Sequence, residues 1–120
     1  MTPRELLEET KCKIYVGDVV LASAPMEDVE PVEFFNLGKF VFDDELEKEY
    51  ANRGLIPANL PSLVASHKMH EFVGTHWKDD EGKWCFATFG RWGGERSVRV
   101  DRYGYGWDGY WWFCGVKKKP

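Results

Sequence analysis

The sequence predicts an α+β fold in which an antiparallel β-meander of about four C-terminal strands, with an N-terminal strand or hairpin, packs against two or three short helices. Two observations predict it. Thirteen of the nineteen aromatic residues, including all six tryptophans, lie between Phe72 and Phe113, in strand-like runs separated by glycine turns. The first half instead carries helix-start signals and thirteen of the twenty acids.

Length and composition predict a single domain over residues 1–120, with an acidic helix and hairpin region at 1–71 and a Trp-rich sheet at 72–120. A hydrophobic content of 43% excludes a disordered chain, and no apolar run is long enough for a membrane span. Three widely spaced cysteines and the absence of a signal-peptide pattern predict a cytoplasmic protein with reduced thiols.

The N-terminal elements follow from local signals. Thr2-Pro3-Arg4-Glu5 has the pattern of a capping box with proline at the first helical position, so a helix is predicted to about Lys11. Ile14–Leu21 is strand-like, with Gly17-Asp18 as a possible turn inside it. Val32–Phe42 predicts a hairpin that turns at Asn36–Lys39.

Two further helices complete the first half. One is predicted from Asp43 or Asp44 to Gly54, because acids suit a helix start and glycine a helix end. The other is predicted over Pro61–Glu71, where the apolar residues and His67 form one stripe.

Glycine-containing turns predict the register of the C-terminal sheet. A two-residue turn at Gly93-Gly94 places Phe89 opposite Val98 and Arg91 opposite Arg96. A second at Asp108-Gly109 places Gly106 opposite Trp111 and Gly104 opposite Phe113. A third hairpin joins Phe72–Trp77 to Lys83–Trp92.

Alternation of side chains along these strands sorts them onto two faces. One face is nearly all apolar and is predicted to be the core; it has Phe72, Cys85, Ala87, Phe89, Val98, Val100, Trp111 and Phe113. The other face mixes aromatic rings with a cation, an anion and Cys114. These rings either form a second core layer under the helices or the N-terminal strands, or they form a recognition surface. Because Trp, Tyr and Arg are enriched at binding hot spots, the second interpretation predicts a binding site here. The predicted partner-binding residues are Trp84, Arg99, Asp101, Tyr103, Tyr105, Trp107, Tyr110 and Trp112.

This surface predicts a small non-catalytic binding protein with a macromolecular partner, most simply another protein. Inhibition of that partner is one way in which it could act. An alternative is single-stranded nucleic-acid binding, because the residues from Lys83 onward carry three acids and eight bases. The like-charged cross-strand pair of Arg91 and Arg96 also predicts an anion site.

A small enzyme is the third alternative. It would use His76 with Cys85 or Cys114 as a nucleophilic pair, with His76 beside Cys85 on the core face, or an acid–base pair of Asp101 and Arg99. His67 and His70 are the best metal candidates, but zinc needs more ligands than these two. No metal, cofactor or membrane partner is expected.

Overall fold

The computed structural model describes residues 1–102 and 104–119, and within them the chain has an α+β fold with four α-helices and a seven-stranded sheet. The helices are α1 Pro3–Glu8, α2 Asp18–Ala22, α3 Asp43–Asn52 and α4 Leu60–Ser66, and a 3-10 turn at His67–Met69 follows α4. The strands are β1 Lys13–Val16, β2 Val32–Asn36, β3 Leu55–Pro57, β4 Val73–Lys78, β5 Trp84–Trp92, β6 Glu95–Arg102 and β7 Trp112–Lys117.

The sheet is mixed rather than purely antiparallel, which corrects the predicted meander. Its strand order is β1-β6-β5-β4-β7-β2, and β3 pairs with the far end of β7. β1 runs parallel to β6 and β4 runs parallel to β7, whereas the remaining pairs are antiparallel. Strands from the acidic first half therefore lie at both edges of the Trp-rich sheet.

Two of the three predicted C-terminal hairpins are confirmed. β5 and β6 pair with Phe89 opposite Val98 and Arg91 opposite Arg96, in the register that the Gly93-Gly94 turn predicts. Both glycines have positive φ angles (60° and 79°), which a side chain would disfavour. β4 and β5 form the other hairpin.

The hairpin predicted at Asp108-Gly109 is wrong. Trp107 pairs with Val41 through two backbone hydrogen bonds of 2.7 and 3.0 Å, and not with Tyr110. The chain then enters β7, which lies between β4 and β2. The residue types at Asp108-Gly109 favour a local chain reversal. They do not indicate which distant strands can pair with β7 instead.

The N-terminal strand predictions are partly wrong for the same reason. Val32–Phe42 does not form a hairpin, because β2 pairs with β7 and Val41 pairs with Trp107. The strand predicted at Ile14–Leu21 ends at Val16, and α2 begins at Asp18 directly after Gly17.

The starts of α1, α3 and α4 agree with the sequence to within one residue, whereas α2 is not predicted. The Thr2 hydroxyl accepts a hydrogen bond from the Glu5 amide while the Glu5 carboxylate accepts one from the Thr2 amide, so the capping box is present. α3 begins at Asp43, and Gly54 follows its end with a φ of +67°. The helix predicted to reach Glu71 leaves α-helical geometry after Ser66 and continues as the 3-10 turn.

Each face of the sheet has its own hydrophobic cluster. On the first face, α1, α2 and α4 cover β-strand residues that include Ala87, Phe89, Val98 and Val100. On the second face, α3 places Leu46 and Tyr50 against another set of side chains. That set is Phe35, Val41, Leu55, Trp107, Trp111 and Phe113.

The side-chain assignments along β7 are therefore reversed from those predicted. Trp111 and Phe113 belong to the second-face cluster, and Cys114 and Trp112 pack with the first-face cluster. The predicted faces depended on pairing with residues 104–107, whereas β7 pairs with β2, β3 and β4, and these partners set which alternate side chains point to each face.

Candidate functional site: an aromatic cleft

An open cavity of about 500 Å³ lies on the second face of the sheet, between strands β5 and β6 and the loop 104–111. We call it the aromatic cleft. Its described lining residues are Phe86, Thr88, Trp92, Arg99, Asp101, Arg102, Gly104, Tyr105, Gly106, Trp107, Tyr110 and Trp111. A volume of this size falls in the range of small-molecule and peptide pockets, roughly 300–1,000 Å³.

The floor of the cleft is made by interior strands. Thr88 of β5 pairs with Arg99 of β6, and Phe86 pairs with Asp101, so these four side chains share one face. β5 has β4 as its other neighbour and β6 has β1. The backbone donors and acceptors of the floor are thus used within the sheet, which leaves side chains to make contacts with a ligand.

Arg99 and Asp101 are the exposed charged groups of the floor. Asp101 Oδ1 accepts a hydrogen bond of 2.8 Å from the Arg102 amide, and neither side chain forms an ion pair with any residue in the described ranges. The Arg99 guanidinium lies 5.8 Å from the centre of the Tyr15 ring on β1. One cation and one anion therefore face the cleft without a partner ion.

The wall of the cleft is a loop that the first half of the chain holds in place. The Asn36 side-chain amide donates to the carbonyl oxygens of Gly109 and Trp111, each at 2.8 Å. Gly106 has a φ of +96°, and a Cβ on it would lie 2.2 Å from the Phe40 ring. Residues far apart in sequence thus fix this loop against β2 and the segment that follows it.

The carboxylate of Asp43, whose side chain is 13% exposed, fixes the Trp107 ring at the base of the cleft. Asp43 Oδ1 accepts a hydrogen bond of 2.9 Å from Trp107 Nε1 and lies 2.8 Å from His76 Nδ1. The His76 ring stacks on Trp84 at 4.2 Å, and its Nε2 is buried without a hydrogen-bond partner among the described groups. The Trp107 ring also rests on Gly74, where a Cβ would lie 2.8 Å from the indole. The Trp107 ring is therefore held both by its hydrogen bond to Asp43 and by its packing against Gly74.

The rings of the cleft differ sharply in exposure. Trp107 and Trp111 are 5% and 8% exposed and form its base, whereas Trp92, Tyr110 and Tyr105 are 46%, 49% and 95% exposed and stand at its rim. Trp111 links three of these rings, with ring centres 6.2 Å from Trp92, 5.4 Å from Tyr110 and 5.5 Å from Trp107. The result is a continuous aromatic surface with a fixed base and an accessible rim.

The structure brings together five of the residues predicted from the sequence to bind a partner. Arg99, Asp101, Tyr105, Trp107 and Tyr110 all line the aromatic cleft. Whether they bind a partner stays a prediction.

The other three predicted partner-binding residues lie elsewhere or cannot be placed. Trp84 donates to Asp44 at 2.9 Å beside α3, and Trp112 stacks on His70 at 4.1 Å on the first face. Tyr103 lies outside the described residues.

The predicted partner-binding residues leave out three rings of the cleft. The predicted register already places Phe86 on this face, and extending it to the turn would also have placed Trp92 there. Trp111 could not be found in this way, since its position depends on the unexpected path of β7.

Arg91 and Arg96, the predicted anion site, lie opposite each other on the exposed end of the β5–β6 hairpin. Arg96 donates to the carbonyl oxygens of His67, His70 and Glu71 at 2.6 to 3.0 Å, so it caps the end of the helical segment. It also lines a second cavity of about 470 Å³. Anion binding at this pair stays a prediction, although most of the Arg96 donors already have acceptors within the protein.

The thiol–imidazole geometry differs from that predicted. Trp77, not His76, lies opposite Cys85, so His76 and Cys85 point to opposite faces of the sheet. Burial raises the pKa of the Cys85 thiol and raises the pKa of Cys114 to about 11, which disfavours the nucleophilic thiolate.

The two metal candidates are engaged in packing. His67 stacks on Phe89 at 4.0 Å, and burial together with the nearby Arg96 cation lowers the pKa of His67 to about 4. His70 stacks on Trp112 and on Phe34. Among residues 1–102 and 104–119, no three His, Cys, Asp or Glu side chains are grouped so that they could hold a metal ion.

Searches against protein-family models, curated proteins and solved structures found no match to this chain. In the described part of the chain, every helix is too short or too polar to cross a membrane.

Proposed function

We propose that this chain is a small non-catalytic binding protein that holds an exposed segment of a partner protein in the aromatic cleft. One observation supports the proposal above all others. The aromatic rings at the rim of the cleft are accessible, and the rings at its base are already fixed in the absence of a ligand. Trp107 and Trp111 are held by hydrogen bonds and packing, so little side-chain entropy remains to be lost there on binding. Tyr105 and Tyr110 then supply large contact areas at low entropic cost.

The charges of the cleft favour a protein segment over a nucleic acid. Affinity for a nucleic-acid strand depends mainly on cations that neutralise phosphates. Here the exposed Arg99 is offset by the exposed Asp101, and Arg102 is paired with Asp79 at 2.9 Å. A peptide can carry both signs of charge and so can match this pair.

A catalytic role has less support. The two buried cysteines have raised thiol pKa values, and the His76 imidazole is covered by Trp84 and lies on the opposite face from both. The three cysteines are free thiols, which fits a reducing compartment such as the cytoplasm. Blocking the function of the captured protein would be one consequence of such binding.

Selection from a random dodecapeptide library displayed on phage tests the proposal. We expect the wild-type protein to enrich peptides whose binding is lost in a Tyr105→Ala/Tyr110→Ala double variant. Binding should persist in Met69→Ala, because Met69 is also exposed but lies outside the cleft. Near-UV circular dichroism confirms that each variant is folded.

Two outcomes would contradict the proposal. One is enrichment of no peptide, or only of peptides that bind all three proteins equally. The other is tight binding of oligo(dT) with a steep salt dependence that disappears in Arg99→Ala, which would instead establish the nucleic-acid alternative.

A further inference from the structure

We infer that the occupant of the aromatic cleft is a proline-rich segment in the polyproline II conformation that carries a basic residue. This inference rests on the proposed function and names the chemistry of the partner. Three structural features support it: the hydrogen bonding of the floor, the size of the cleft, and the arrangement of its rings and charges.

The floor excludes the commonest way of binding an extended peptide. A peptide in β conformation binds by adding to a free strand edge, where backbone groups lack partners. Thr88 and Arg99 lie on β5 and β6, and both strands are interior to the sheet. A segment over this floor must therefore be held by side chains. A polyproline II helix has no internal hydrogen bonds, and its prolines have no N–H groups to satisfy.

A helical ligand fits the cleft less well than an extended one. An α-helix with its side chains is roughly 10–12 Å across, which is wider than a single extended segment. Helix-in-groove recognition uses anchor residues spread over about two turns. A narrower, extended segment fits the same volume better. A proline-rich segment also starts close to its bound conformation, which lowers the entropic cost of binding.

The rings and charges then match such a segment. Aromatic-lined grooves are the usual receptors for polyproline II ligands, and Trp92, Trp111 and Tyr110 form a continuous ring surface along the cleft. The Arg99 guanidinium can donate hydrogen bonds to the carbonyl oxygens of the segment. Asp101 presents a carboxylate that pairs with no cation among the described residues, and an arginine or lysine of the segment would complement it.

Peptides taken from the library selection test the inference, since their dependence on Tyr105 and Tyr110 has already placed them in the cleft. Each is synthesised in its selected form, with all prolines replaced by alanine, and with its basic residue replaced by glutamate. Binding is measured through the tryptophan fluorescence of the protein.

We expect proline replacement to weaken binding by about tenfold or more and the charge reversal by a similar factor. In an Asp101→Asn variant, the preference for the basic over the acidic peptide should largely disappear. Asp80→Asn, which removes an exposed carboxylate outside the cleft, should leave that preference unchanged.

The outcomes distinguish the proposed function from the inference of a proline-rich ligand. Cleft-dependent peptides that lack prolines, or whose binding survives their replacement, would overturn this inference while the proposed function stands. The absence of cleft-dependent peptides would overturn both. Binding of cellohexaose that is lost in Tyr105→Ala/Tyr110→Ala, in place of any peptide, would assign the cleft to carbohydrate.

Discussion

At the scale of single residues, a few polar side chains decide where the rings of the aromatic cleft stand. Asn36 holds the loop through two carbonyl oxygens, and the Tyr50 hydroxyl donates to the Cys114 carbonyl at 2.8 Å beneath α3. Asp43 joins α3 to both Trp107 and His76. Buried polar groups stabilise a fold only when each has a partner, so losing one acceptor here leaves more than one donor unsatisfied.

We therefore expect Asp43→Ala to lower the free energy of unfolding by about 2–4 kcal/mol, because the Trp107 and His76 donors would lose an acceptor in a site that water barely reaches. Asp44→Ala is the matched control. It removes the same charge from the first turn of α3 but breaks only the exposed bond to Trp84, so a loss of about 1 kcal/mol or less is expected. Urea unfolding measures both values, and equal losses would show that the helix dipole, and not the buried acceptor, sets the effect.

At the scale of elements, a strand pairing can be predicted from the sequence when residues close to it in the chain determine it. The β5–β6 register follows from Gly93-Gly94 because a two-residue turn fixes the pairing of every residue behind it. The Asp108-Gly109 signal precedes β7 but closes no hairpin, because the position of β7 between β4 and β2 depends on competition among distant strands. Five of the predicted site residues still meet in the cleft. Three of them, Tyr105, Trp107 and Tyr110, lie on loop 104–111, where the predicted strand pairing does not exist.

Strand β4 and loop 104–111 meet at Gly74, where we expect Gly74→Ala to destabilise the protein by about 1–3 kcal/mol. The new Cβ would lie 2.8 Å from the Trp107 ring and 3.0 Å from the Ala87 carbonyl oxygen, which cannot move without disturbing the sheet. The cost should be smaller in a Trp107→Phe background, because the smaller ring leaves more room.

Gly17→Ala is the control for this substitution, since its nearest contacts would be at ordinary distances of 3.7 and 3.8 Å. Because alanine is a poorer N-cap than glycine at the start of α2, it should still cost about 0.5–1 kcal/mol, but without any coupling to position 107. A double-mutant cycle from urea unfolding measures the coupling between positions 74 and 107. A coupling near zero would mean that Trp107 does not press on Gly74.

At the scale of the whole molecule, the sheet interleaves the two halves of the chain. β2 and β3 come from the acidic first half and pair with β7, and β1 pairs with β6. The aromatic cleft depends on the same arrangement, since Asn36, Val41 and Asp43 hold its wall from the first half. The charge asymmetry of the sequence therefore does not mark two separable parts, and the Trp-rich region requires the acidic one for its shape.

This interleaving predicts that the chain cannot fold cooperatively without its last strand. A chain truncated after Gly109 would leave β2 and β3 without the strand they pair with and would remove Phe113 from the second-face cluster. We expect it to lack a near-UV circular dichroism signal and a sigmoidal urea transition. A chain truncated after Lys117 keeps β7 and loses the backbone bond from Lys118 to Gly54 and a surface ion pair, so its stability should fall by only about 1–2 kcal/mol. A sigmoidal transition in the shorter chain would show instead that the remaining strands form a stable sheet without β7.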